Sequence, residues 1–149
     1  MKKAIFLSLA VSVVFFAVSC KSGPATEHDD SFSQVYNAYR GNLILNGAKE
    51  YIVVAGDTLS KITTVQYGAG NGYFFPLIML ASSDVVEDPD LIVPGMKLTI
   101  PNLQANLDDP TARKQLKEFL LDIADVYEKK GDPRSLATRH NLIELAGTL

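Results

Sequence analysis

The chain contains few of the residues on which metal and thiol chemistry depend. Its 149 residues include one cysteine and two histidines. A single cysteine can form neither an intramolecular disulfide nor a multi-thiolate metal site. His28 lies in a polar segment, and His140 lies among apolar residues without the carboxylate–histidine spacing of a metal site. We therefore expect a structural role for His140, no metal and no cofactor.

Signatures of nucleic-acid binding and of catalysis are also missing. Lys and Arg total 14 against 17 Asp and Glu, and no basic cluster is interleaved with aromatic residues, so nucleic acid is not an expected partner. The chain has no Gly-rich phosphate loop, no Gly-x-Ser-x-Gly and no catalytic cysteine. The acidic pairs Glu87-Asp88 and Asp108-Asp109 fall at turns and helix starts, where carboxylates serve as caps. We therefore expect a protein that is not an enzyme.

The first twenty residues have the layout of an export signal. Met1-Lys2-Lys3 is positively charged, Ala4–Val18 is a run of apolar and small residues, and small residues occupy the positions before Cys20 that a signal peptidase inspects. This layout resembles a bacterial lipoprotein signal, although that family usually has Leu where this chain has Ala17. The resemblance implies a signal peptide over residues 1–19, lipidation at Cys20, and a protein held by lipid on a membrane of the cell envelope after export.

Two alternatives remain open for this leader. The small residues before Cys20 also suit the ordinary signal peptidase, which would release the protein as a secreted periplasmic one. An uncleaved membrane anchor is the other alternative, although the Ala4–Ser19 stretch is shorter than the roughly 20 residues that span a bilayer.

A tether and a helix are predicted between the leader and the centre of the chain. Residues 20–30 are dominated by Gly, Pro, Ser and acidic residues, which cannot build a core. Residues 31–48 are predicted to contain an N-terminal helix, capped by Asp30 or Ser31 and ended by Asn46-Gly47. Its apolar stripe consists of Phe32, Val35, Tyr36, Tyr39, Leu43 and Leu45.

The central segment, residues 50–102, begins with the pattern of a strand and a helix. Tyr51–Val54 is a β-rich run. Asp57 or Thr58 can cap the helix that follows, which is predicted to end near Gly68. The apolar residues predicted on this helix are Leu59, Ile62 and Val65.

The second half of this segment has the pattern of a helix and a strand. Pro76 fits the first turn of a helix that fades at Ser82-Ser83. Pro94-Gly95 has good turn chemistry and precedes a second short strand over Lys97–Ile100. The predicted order of residues 50–102 is therefore strand, helix, helix, strand, in an α+β chain.

A helical hairpin is predicted over residues 108–149. Asp108 or Asp109 can cap its first helix, with Pro110 in the first turn, and Gly131-Asp132-Pro133 separates the two helices. The apolar stripe of the first helix is Leu116, Phe119, Leu120, Ile123, Val126 and Tyr127. The predicted face of the second helix is Leu136, His140, Ile143 and Gly147, with Leu142, Leu145 and Leu149 beside it.

Two half-motifs within residues 50–102 resemble a known family. Tyr51–Ile62 has the opening of a lysin motif (LysM), which runs aromatic, x, Val, x, x, Gly-Asp-Thr-Leu, x, x, Ile, and Asp88–Pro101 has its close. Tyr67-Gly68, Tyr73-Phe74-Phe75-Pro76 and Ala81 stand at the landmarks between them. The chain departs from the family at Thr63, where Ala is usual, at Ser82, where Asn is usual, and in a long connector over Gly68–Gly72.

The resemblance implies a βααβ module with a shallow groove between two loops, Gly56–Leu59 and Asp90–Val93. A LysM groove binds N-acetylglucosamine polymers such as peptidoglycan. The ligand-binding residues that the resemblance implies are Gly56, Asp57, Thr58, Leu59, Asp90, Leu91, Ile92 and Val93.

These residue types suit a sugar ligand, and several also have structural alternatives. Backbone groups can pair with the N–H and C=O of an N-acetyl group, and Gly56 allows close approach. Leu59, Leu91 and Ile92 can line a pocket for the acetyl methyl. Thr58 can instead be mainly a helix cap, and Asp57 can instead serve the turn.

The sequence therefore predicts a cell-envelope lipoprotein that binds peptidoglycan or a related polymer through one groove. An envelope interaction or assembly protein is the alternative, because the stripe over residues 116–127 needs cover from the last helix, from residues 32–45 or from a protein partner. A wall-remodelling enzyme is disfavoured, since the roughly forty residues after the module are too few and too helical for a catalytic domain.

Overall fold

The computed structural model describes residues 30–149. The predicted signal peptide over residues 1–19, the lipidation site Cys20, His28 and the predicted tether up to residue 29 lie outside the described residues. Within the described part, six α-helices accompany a two-stranded antiparallel sheet, which is an α+β arrangement as predicted. The helices are α1 (Asp30–Tyr39), α2 (Leu59–Tyr67), α3 (Phe75–Ala81), α4 (Leu103–Asp108), α5 (Pro110–Lys130) and α6 (Pro133–Thr148), and the strands are β1 (Lys49–Ile52) and β2 (Lys97–Ile100).

Helix α1 is shorter than the sequence predicts. It ends at Tyr39, and one 3₁₀ turn over Arg40–Asn42 leads into extended backbone, so the prediction of a helix up to residues 46–48 is wrong. Gly41, a poor helix former, lies in this turn. Beyond it, the buried side chain of Asn106 accepts a hydrogen bond from the N–H of Ile44 and donates one to its C=O, both at 3.0 Å. This pairing gives the backbone an alternative to helical hydrogen bonds. The side chains of Asp30 and Ser31, predicted as caps, lie outside the described residues.

Strands β1 and β2 form a short ladder in which Lys49 lies opposite Ile100 and Ile52 opposite Lys97. Strand β1 therefore starts two residues earlier than predicted and ends at Ile52 rather than at Val54. Val53 leaves the ladder to bond the turn before β2: its N–H donates to the C=O of Met96 and its C=O accepts from the N–H of Gly95, both at 2.9 Å. That turn is the predicted Pro94-Gly95 turn, with Gly95 at a φ of 93°.

Helices α2 and α3 begin and end close to their predicted positions. Thr58 caps α2 by accepting a hydrogen bond from the N–H of Lys61, and Gly68 follows the last helical residue. Leu59 and Ile62 are buried as predicted, but Val65 is 77% exposed, so its assignment to the apolar face is wrong. Helix α2 has only nine residues and buries one side, formed by Leu59, Ile62 and Thr63, and Val65 lies outside that side.

Helix α3 is tied to β2 by a serine at its end. The hydroxyl of Ser82 accepts a hydrogen bond from the N–H of Thr99 (2.9 Å) and donates one to its C=O (3.4 Å). Ser82 is 1% exposed, so this pairing satisfies a polar group inside the core. Ser82, which stands where the LysM family usually has Asn, therefore links the end of α3 to β2.

The C-terminal hairpin forms as predicted except on one face. Asp109 caps α5 and Asp132 caps α6. The predicted α5 stripe is buried throughout. On α6, however, Leu142 and Ala146 are buried, and the predicted face is turned to solvent, with His140 72% exposed beside Glu144. The prediction of a structural role for His140 is therefore wrong. The sequence also does not predict the short helix α4.

A single apolar core joins the N-terminal helix, the strand–helix–helix–strand unit over residues 49–100 and the hairpin. The ring of Tyr127 on α5 contacts Phe32 of α1 at 5.6 Å and Phe75 of α3 at 6.3 Å, both edge-on. Phe119 contacts the rings of Tyr36 at 6.4 Å and Tyr39 at 5.2 Å, both in a tilted arrangement. Among residues 30–149, none of the helices is both long and apolar enough to cross a membrane.

Candidate functional site

The loop between β1 and α2 is a tight turn that uses its own polar groups. The carboxylate of Asp57 accepts hydrogen bonds from the N–H of Val54 and from the hydroxyl of Tyr51, both at 2.9 Å. The bond to Asp57, together with partial desolvation, raises the pKa of Tyr51. Gly56 stands at a φ of 88°, a conformation that favours glycine. The turn therefore engages one oxygen of the Asp57 carboxylate, Oδ2, in both bonds.

The other polar groups of this loop bond to neighbouring residues at the protein surface. The C=O of Gly56 accepts from the ammonium of Lys61 at 3.1 Å, and the hydroxyl of Thr58 lies 3.2 Å from that of Ser60. No heavy atom lies within 4 Å of the position that a Cβ on Gly56 would take. The loop is thus open on its outer side, and its exposed hydroxyls can donate to or accept from a ligand.

The second loop, before β2, is held by a lysine from the hairpin. Asp88 accepts from the N–H of Asp90 at 2.8 Å and so starts the 3₁₀ turn Pro89–Leu91. The ammonium of Lys130, at the end of α5, donates to both oxygens of Asp88 (3.1 and 2.9 Å) and to Asp90 (3.0 Å). Burial lowers the pKa of Lys130, but the bonds to Asp88 and Asp90 outweigh it and raise the pKa overall.

A cavity of about 260 Å³ lies between these two loops. Its buried lining is apolar or aromatic and consists of Leu59, Phe75, Pro89 and Tyr127. Its exposed lining is mostly polar and consists of Thr58, Ser60, Tyr73, Asp90 and Arg134, with the half-buried Thr138 beside them. An apolar floor with a few polar groups at the rim is the usual composition of a small-molecule site.

Tyr127, in the buried part of this lining, carries a phenol. Burial, and then the charges of Asp90 and Asp88, raise the pKa of this phenol above its ordinary value. The phenol therefore stays protonated at neutral pH and keeps its donor capacity.

The predicted site residues divide into two groups. Thr58, Leu59 and Asp90 line the cavity together. Gly56 and Asp57 form the turn just before Thr58, outside the lining. Of the other three, Leu91 is 65% and Val93 52% exposed outside the lining, and Ile92 packs against the core. The apolar floor is therefore made by Leu59 and Pro89 with residues from α3 and α5, rather than by Leu59 with Leu91 and Ile92.

Sequence reasoning missed the half of the cavity that comes from other elements. Tyr73 and Phe75 precede or begin α3, and the sequence marks their aromatic run only as a landmark of the LysM resemblance. The pattern places Tyr127 in the hairpin stripe, and Arg134 and Thr138 lie on α6. Their contribution depends on how the hairpin packs against the 3₁₀ turn Gly72–Phe74, which no local pattern reveals.

A larger cavity, of about 480 Å³, lies between the ends of α2 and β2 and the start of α4. Three of its four amide side chains have partners: Asn71 donates to the C=O of Tyr67 at 2.7 Å, Asn102 caps α4, and Gln104 donates to Asp108 at 2.6 Å. These bonds hold the junction between the strands and α4. The smaller cavity lies between the two loops where the sequence predicts a groove and is therefore the better candidate site.

No group of three or more His, Cys, Asp or Glu side chains able to hold a metal ion occurs within residues 30–149.

A scan against models of protein families, a search of curated proteins and a search of solved structures each return no match for this chain.

Proposed function

We propose that the chain binds peptidoglycan, or a related N-acetylglucosamine polymer, at the cavity between the two loops, as a LysM-type module. One observation supports this proposal above all. The cavity lies between the ends of the two loops, at Thr58, Leu59 and Asp90, where the resemblance of the sequence to LysM implies a groove.

The lining of the cavity matches the chemistry of an N-acetylated sugar. Leu59 and Phe75 offer an apolar surface for an acetyl methyl. The partly exposed ring of Tyr73 offers an aromatic surface for a sugar ring. Thr58 and Ser60 offer hydroxyls for the amide and the ring hydroxyls. A site of about 260 Å³ accommodates only part of a polymer, so the affinity of one groove is expected to be low.

The leader gives this weak site a biological context. Lipidation at Cys20, after cleavage of residues 1–19, would hold the protein at a membrane of the cell envelope beside the polymer. A repeating glycan and a membrane-held binder raise the effective affinity through local concentration. The proposed role is therefore a non-enzymatic link between membrane and wall. Secretion to the periplasm without lipid is the alternative location.

The alternative of a protein-interaction factor loses the observation that motivated it. The apolar stripe of α5 is buried within the chain itself, against α1, α3 and α6. The stripe therefore needs no cover from a partner.

A blocking substitution tests the groove directly. Ser60 is exposed on the first turn of α2 and lines the cavity, so Ser60→Trp would fill the cavity without straining the backbone. Val65→Trp is the matched control, because it adds the same ring to the same helix at an exposed position outside the lining. We expect insoluble peptidoglycan to retain residues 21–149, which contain the whole described fold, and the Val65→Trp variant, but to lose most of the Ser60→Trp variant.

The possible results separate the two parts of the proposal. Equal retention of all three proteins would show that the polymer binds elsewhere and would remove the groove assignment. Absence of retention for all three would contradict peptidoglycan binding itself. Matching circular dichroism spectra of the variants would exclude unfolding as the cause of any loss.

A further inference from the structure

One side of the cavity comes from the last helix rather than from residues 49–100. Arg134 and Thr138 lie one turn apart at the start of α6, and both line the cavity together with Thr58, which caps α2, and Ser60 in its first turn. Helix α6 is held there because α5 contacts α3 and because the loop between the two helices follows directly after Lys130. The hairpin is thus a structural part of the candidate site.

Arg134 stands at this wall with its charged group available. Its backbone N–H donates to Asp132 at 2.9 Å, and its C=O accepts from the hydroxyl of Thr138 at 3.1 Å. Its guanidinium, in contrast, forms no ion pair and no hydrogen bond with any side chain in the part of the chain that is described. Asp132 feels the charge of Arg134, but the carboxylate of Asp132 is engaged by Ser135 and by the backbone of α6.

The acidic group in the lining, Asp90, has a cationic partner that it shares with Asp88. Asp90 accepts a hydrogen bond from Lys130 at 3.0 Å, and Lys130 does not itself line the cavity. The charged residue of the lining whose side chain has no partner among the described residues is therefore Arg134. A guanidinium presents a planar set of N–H donors whose best partner is a carboxylate, which it can bind through two parallel hydrogen bonds.

We propose that Arg134 makes this site selective for glycans that carry carboxylates over neutral ones. The inference rests on the proposed binding of an N-acetylglucosamine polymer at the same cavity. Chitin fragments are neutral. Peptidoglycan fragments carry carboxylates on their stem peptides, or on the lactyl groups once the peptides are removed. The sugar ring lies over the apolar floor, and the carboxylate reaches Arg134 at the rim.

The test compares three ligands and three proteins. The ligands are a neutral chitin tetramer, a four-sugar peptidoglycan fragment with its stem peptides, and the same fragment after the peptides have been cleaved to leave free lactyl carboxylates. The proteins are residues 21–149 as wild type, Arg134→Gln and Arg113→Gln. Arg113 is an exposed arginine on α5 about 20 Å along the helix from Tyr127, so its substitution makes the same change in net charge away from the cavity.

We expect titration calorimetry to show that Arg134→Gln weakens binding of the acidic fragments about tenfold, the loss typical of one charge-assisted contact. Binding of the neutral tetramer should change less than about twofold, and Arg113→Gln should leave all three affinities near the wild-type values. The fragment with the larger loss identifies which carboxylate Arg134 contacts.

Two results would overturn the inference while leaving glycan binding intact: equal weakening of acidic and neutral ligands by Arg134→Gln, or no weakening of either. Wild-type protein that binds none of the three ligands would contradict the proposed function and the inference with it. An unchanged melting temperature of Arg134→Gln would show that the loss is not one of folding.

Discussion

Asn106 shows how one side chain determines the path of a segment far away in sequence. It is 1% exposed, and besides pairing with both backbone groups of Ile44 it donates to the C=O of Asn102 at 2.9 Å. Leucine has a similar volume but no polar atoms. The substitution Asn106→Leu would therefore leave the N–H and C=O of Ile44 without these partners.

We expect Asn106→Leu to lower the free energy of unfolding by about 2–3 kcal/mol, the cost of two backbone groups that lose their bonds in a partly buried place. Urea unfolding followed by circular dichroism measures this change. The control is Asn141→Leu, since the amide of Asn141 bonds only to the backbone of its own helix, at the C=O of Ala137. If Asn106→Leu lowered the free energy of unfolding no more than Asn141→Leu does, the hydrogen bonds between Asn106 and Ile44 would contribute little to stability.

At the scale of elements, Lys130 connects the hairpin with the second loop. Its ammonium bonds Asp88 and Asp90 and lies 5.1 Å from the ring centre of Phe32. The substitution Lys130→Met keeps most of the aliphatic chain and removes the charge. We expect a loss of about 1–2 kcal/mol, reduced by solvent screening at the exposed Asp90, and faster hydrogen exchange in residues 88–91. Lys129→Met, at the exposed neighbouring position, should change neither quantity.

The contribution of Lys130 also has a defined pH dependence. Its pKa in the folded state is raised above the ordinary value of 10.5. The stabilisation is therefore fully present below pH 10.5 and is lost as the pH rises through the folded-state pKa. The difference in unfolding free energy between wild type and Lys130→Met should be constant near neutral pH and should shrink in strongly alkaline solution. A difference that grows with pH would contradict this assignment.

What the sequence predicts well are the features set by neighbouring residues. The caps Thr58 and Asp109, the Pro94-Gly95 turn and the α5 stripe depend on a few adjacent positions. The order of strands and helices over residues 49–100 follows from such signals.

What the sequence does not reveal depends on packing between distant elements. Helix α6 has apolar residues on two sides, and only its contact with α5 buries Leu142 rather than Ile143. The same contact brings Arg134 to the cavity, so half of the candidate site depends on how the hairpin docks. The path of the chain after α1 likewise involves Asn106, which bonds Ile44 from more than sixty residues away in the sequence.

At the scale of the whole molecule, residues 49–100 and the flanking helices share one core, so they should unfold together. Ile123 lies at the centre of α5 and is 0% exposed. We expect Ile123→Ala to lower the free energy of unfolding by about 2–5 kcal/mol. Hydrogen exchange should show the same loss of protection in the amides of β1 and β2 as in those of α5 and α6. Leu121→Ala, on the same helix but 38% exposed, should cost far less. If the exchange of β1 and β2 were unchanged in Ile123→Ala, the strands would be stable without the hairpin, and the wall that Arg134 supplies would be a separable addition to the site rather than a part of its fold.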